Sequence, residues 1–114
     1  MGLDTYAQPN EDEELSAADA RAFKEADINL CGGVLSGYGD KGSFRGKVYS
    51  DIVRRITGQS LYQSWIPAEV VADMYQKLTS CRREDYPGRE EDIDNLRRFF
   101  GICVDRKLGL FGWW

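Results

Sequence analysis

At 114 residues and 42% hydrophobic content, the chain is the length of one domain and apolar enough to build its own core. Fifteen Lys and Arg against nineteen Asp and Glu leave a net charge of −4, which argues against a nucleic-acid binder relying on a basic surface. Histidine is absent, and with it the commonest general base, the commonest zinc ligand and the usual pH switch.

The segment Met1 to Tyr6 has no apolar core of the kind a secretory signal needs, and Tyr6 stands where a myristoylation motif wants Ser or Thr. No stretch approaches 18 apolar residues, so no membrane span is expected. Cys31, Cys81 and Cys103 are odd in number and contain no Cys-x-x-Cys pair. They read as buried free thiols in a reducing cytoplasm, with no metal and no cofactor.

In chain order, Gly2 to Ala7 alternates enough to be a strand, broken by Pro9 and Asn10. The acidic run Glu11 to Glu14 reads as a solvated lead-in to a helix. Ser16 with Asp19 resembles a capping box and predicts a first helix over 17–28, with a thin apolar stripe that places it outside the core. Residues 31–43 hold five of the twelve glycines and cannot sustain a helix, although Val34 and Leu35 suit a short strand.

A second helix is expected from Ser43 as N-cap to Gly58 as its stop. Phe44, Val48, Ile52 and Ile56 repeat at i+4 as its buried stripe, widened by Tyr49 and Val53, while Lys47, Asp51 and Arg55 repeat as an ion-pair ladder on the wet side. The aromatic connector 60–66 is too apolar for a wet loop. Pro67 then suits N1 of a third helix carrying Val71, Met74, Leu78 and Cys81. The fourth helix follows Pro87-Gly88, with acids at its start, Arg106 and Lys107 at its end and Gly109 as its stop, a charge gradient that matches the helix dipole. The paired arginines at 54–55, 82–83 and 97–98 read as solvated ion-pair partners.

The tail Gly109 to Trp114 contains Leu110, Phe111, Trp113 and Trp114. Leaving those four in water is unfavourable by several kcal/mol at about 25 cal/mol per Å². The tail is therefore expected to dock, as a strand beside Leu3 to Ala7 or as a plug. The alternative is that it stays exposed for a partner.

Two constellations bear on function. Gly37-Tyr38-Gly39-Asp40-Lys41-Gly42 matches G-x-G-x-x-G and opens toward the second helix, with Ser43, Arg45 and Lys47 placed to contact an anion or phosphate ester. Against a dinucleotide site stand the missing strand–helix alternation and the missing acid about 20 residues on. The second constellation is the aromatic surplus, 14 of 114 residues, with Phe111, Trp113 and Trp114 clustered at one end. Without His, neither a Ser-His-Asp nor a Cys-His nucleophile exists.

The stretches Met-Gly-Leu-Asp-Thr-Tyr-Ala, Leu-Cys-Gly-Gly, Ser-Phe-Arg-Gly-Lys-Val-Tyr, Leu-Tyr-Gln-Ser-Trp-Ile-Pro and Gly-Leu-Phe-Gly-Trp-Trp resemble an uncharacterised bacterial family. That resemblance implies a complete small protein and brings no activity, cofactor or catalytic residue. The fold expected over 1–114 is a single, mainly α domain: about four helices around one core, with short strands from the termini, and α+β as the alternative. The favoured function is a cytoplasmic, non-enzymatic binding or protein-interaction module, as a homodimer or with a protein partner. The alternative is an anion or phosphate-ester site at the glycine loop, enzymatic or not.

Overall fold

The two ends of the chain meet as the central strands of a sheet. In the computed structural model, which describes residues 2–31 and 42–114, β1 (Asp4–Gln8) and β4 (Gly109–Trp113) pair antiparallel, from Asp4 opposite Trp113 to Gln8 opposite Gly109. Two further strands of two residues each flank them: β2 (Ser43–Phe44) on β1 and β3 (Trp65–Ile66) on β4, in the order β2-β1-β4-β3. The tail docks as a strand, as one form of the sequence reading expects. The strands β2 and β3 carry no signal of their own, since two residues show no period.

Four helices complete a mainly α fold: α1 (Ala17–Glu25), α2 (Gly46–Thr57), α3 (Ala68–Ser80) and α4 (Glu90–Arg106), with a 3₁₀ turn at Arg83–Asp85 between the last two. Ser16 caps α1, its hydroxyl accepting from the Asp19 amide at 3.1 Å. This helix lies outside the others, fastened by one fully buried residue, Phe23, whose ring sits 4.7 Å from Phe99. The core runs between α2, α3, α4 and the inner sheet face: Ile52, Val53, Val71, Met74, Leu78, Leu96, Phe99 and Phe100 are all without solvent exposure.

Several details depart from the sequence reading. Ser43 is a buried β2 residue and Arg45 stands at the cap position of α2. Because Phe44 lies in a strand, the buried face of α2 is Tyr49, Ile52, Val53 and Thr57, and Val48 is 44% exposed. No Lys47–Asp51–Arg55 ladder forms: Asp51 receives the Arg89 Nη1 at 3.0 Å, and the Arg55 guanidinium lies 5.2 Å above the Tyr86 ring. Partial burial raises the Asp51 pKa, but the Arg89 hydrogen bond and charge outweigh it and hold the carboxyl below its ordinary range.

Arg82 and Arg83 are ion-paired with Glu84 and Asp94 as expected, whereas Arg97 and Arg98 serve carbonyl and amide acceptors instead. Arg97 donates to the carbonyls of Leu78 and Cys81 at 2.7 and 2.8 Å, satisfying acceptors at the end of α3. Arg98 donates to the Asp27 carbonyl and to Asn95 Oδ1, a buried amide that also takes the Asn29 N–H at 2.8 Å.

Helix α4 ends on Lys107, not on Gly109. Lys107 is left-handed at φ 57°, and the Leu108 N–H returns to the Cys103 carbonyl at 2.8 Å. Gly109 instead opens β4, where a Cβ would lie 2.5 Å from the Ile66 carbonyl oxygen. A left-handed conformation is unfavourable for an L-residue, so Lys107→Gly is expected to stabilise the protein by about 0.5–1 kcal/mol. Thermal unfolding checks this; a lower melting temperature contradicts it.

Only Cys103 fits the expectation of buried thiols; Cys81 is half-buried and Cys31 exposed. Burial pushes the Cys103 thiol far above its ordinary range. In the native protein a disulfide reagent is expected to modify Cys31 first and Cys81 more slowly, and to reach Cys103 only on unfolding. Equal rates at all three thiols would contradict this burial pattern. No described helix is long and apolar enough to cross a membrane.

Candidate functional site

Strand alternation sorts the sheet into two faces. Thr5, Ala7, Phe44, Ile66 and Leu110 are buried on the helix side. The other face carries Tyr6, Gln8, Phe111, Trp65 and Trp113. Register sets three rings in one row across three strands, Tyr6 opposite Phe111 and Phe111 opposite Trp65. The Tyr6 and Phe111 rings lie 6.3 Å apart. Two residues beyond Phe111 along β4, on the same face, Trp113 is 67% exposed; beyond it Trp114, 52% exposed, meets the Tyr62 ring edge-on at 5.6 Å.

The expectation that the whole tail is buried therefore needs correction. The same period that draws Leu110 and Gly112 inward turns Phe111 half outward and Trp113 into solvent. Docking of the strand and exposure of its indoles coexist.

Along this face runs a groove of about 440 Å³. Its walls include Tyr6 and Gln8 from β1, Phe111 and Trp113 from β4, and Glu14 and Leu15 from the segment before α1. The Oε1 of Gln8 is buried without a hydrogen-bond partner. Partial burial and the nearby Asp4 charge raise the Tyr6 pKa above its ordinary value.

The anion-site candidates are distributed differently. Gly37 and Gly39 lie outside the described residues. Gly42, at φ 77°, is a close-packing glycine: a Cβ there would strike the Leu15 side chain, and its carbonyl accepts the Ala7 amide at 2.8 Å. Ser43 is buried in β2. Arg45 leans over Gly2 to Asp4, Nη1 to Oδ1 at 3.5 Å.

The amides at the start of α2 are also engaged. That of Arg45 donates to the Cys31 carbonyl at 2.7 Å, that of Lys47 to Leu3 at 3.1 Å and that of Val48 to Arg45 at 3.1 Å. Nearby, the Cys31 amide donates to the Tyr49 hydroxyl at 2.7 Å. Among the described candidates Lys47 is exposed on the first turn, while Arg45 already faces a carboxylate. The structure brings Gly42 and the aromatic tail to one groove, an adjacency invisible in sequence.

Gln8 and Glu14 were not separable by sequence from any strand Gln and any acidic lead-in. Only the topology that folds residues 11–15 against β1 marks them. Comparison of the chain with family models, with curated proteins and with solved structures finds no match.

Proposed function

We propose that the chain is a non-enzymatic, cytoplasmic protein-interaction module that docks partners on the outer face of its sheet. The observation that supports this is the ring row Tyr6–Phe111–Trp65, with a largely exposed Trp113 two residues beyond Phe111 on the same strand face. Aromatic side chains contribute most of the binding energy at protein interfaces because they carry large apolar area at low entropy cost. A row of them held rigid by a ladder is pre-organised for contact.

Panning a random-peptide display library tests the reading. Sequences enriched on the wild-type chain are expected to be lost on a chain carrying Phe111→Thr and Trp113→Thr. Equal enrichment on both would contradict it. The homodimer is the self-docking form of the same reading. Sedimentation equilibrium identifies it by a concentration-dependent mass that the double variant abolishes.

A further inference from the structure

We propose that the groove beside Trp113 receives the guanidinium of an arginine presented by a partner polypeptide. The inference rests on the interaction reading above and narrows it to one chemistry. Glu14 is exposed at the groove and makes no hydrogen bond or ion pair with a described residue, whereas the nearby Asp19 is engaged by Arg106. Gln8 Oε1 is a buried acceptor lacking a donor. Phe111 and Trp113 add ring faces, whose quadrupole attracts cations.

No Lys or Arg stands among the described wall residues. Carboxylate, orphan carbonyl and ring face therefore all favour one guest, a cation rich in N–H donors. An anionic guest would meet Glu14 and be repelled. Between the two basic side chains, arginine fits better. Its flat, weakly hydrated guanidinium stacks on a ring while its fork of N–H groups meets a carboxylate two bonds at a time; a lysine ammonium is a strongly hydrated point charge. The volume of about 440 Å³ leaves room for backbone on either side of that side chain.

The test titrates acetyl-Gly-Gly-Arg-Gly-Gly-amide, and its lysine and citrulline counterparts, into the full chain at low salt, followed by tryptophan fluorescence. Citrulline keeps the shape and loses the charge. The arginine peptide is expected to bind about tenfold more tightly than the citrulline peptide and more tightly than the lysine peptide. Glu14→Gln, a change at an exposed side chain, is expected to remove most of that tenfold advantage with an unchanged melting temperature.

Equal affinity for arginine and citrulline, no detectable arginine-peptide binding at about 10 mM, or an unaffected Glu14→Gln variant each overturns the proposal. Library peptides that need Phe111 and Trp113 but lack arginine overturn it too, and leave the interaction module standing. A library yielding no peptide dependent on those two rings removes both.

Discussion

Removing residues 109–114 is expected to abolish cooperative folding. The strand β4 is central to the sheet, with β1 on one side and β3 on the other. Its loss exposes Leu3, Ala7 and Ile66, which are buried at 0–2% exposure, and takes Leu110 out of the core altogether. It also leaves β1 without its five-residue ladder, unpairing backbone groups along the middle of the molecule.

Domains of this size are stable by only about 5–15 kcal/mol. Burial of Leu110 by itself accounts for some 2–5 kcal/mol on truncation to alanine, and the lost ladder adds to it. Far-UV circular dichroism during heating is the check. A sigmoidal melt within a few degrees of the full chain would show that the helices hold together without the sheet.

The second large effect is expected at Phe99. Its ring lies 4.7 Å from that of Phe23, 4.9 Å from Phe44 and 6.4 Å from Phe100. It thus joins α1, β2 and α4 at one point, with no solvent exposure. Phe99→Ala opens a cavity that three rigid rings cannot close by small shifts, and a cost of about 3–5 kcal/mol follows. Phe99→Leu keeps most of the volume and is expected to cost less. Urea denaturation measures both, and an alanine variant losing under about 1 kcal/mol would mean the site collapses freely, contrary to this packing.

The contrast between these predictions reflects what could be read from residues alone. The α4 stripe of Ile93, Leu96, Phe99 and Phe100 is legible because it repeats at helical spacing with acids before it and bases after it. Ser16 is legible because a cap is a local device. The buried face of α2 is shifted because the i+4 run starting at Phe44 crosses a strand–helix junction that no single residue marks. Lys107 carries no sequence signal because a lysine seldom takes a left-handed turn, and Gly109, the more familiar helix stop, is glycine for a different reason: the Ile66 carbonyl passes where its Cβ would be.

The functional surface was legible only in part. The tail's aromatic richness is plain in sequence, but whether Trp113 is core or surface depends on which strand phase places Leu110 inside. Once β4 pairs with β1 in the observed register, period two sends Trp113 outward. Gln8 and Glu14 acquire meaning only beside it. Their approach is long-range, set by the topology, and no local spacing encodes it.

Indole N–H signals offer the sharpest view of this face, since the chain has three tryptophans and so three such resonances. In a two-dimensional ¹⁵N spectrum, titration with a library-selected peptide is expected to move the Trp65 and Trp113 indole signals together with the amides of Tyr6, Gln8 and Phe111, leaving those of α3 in place. Shifts confined to the helices, with Trp65 and Trp113 unmoved, would show that the binding surface lies elsewhere.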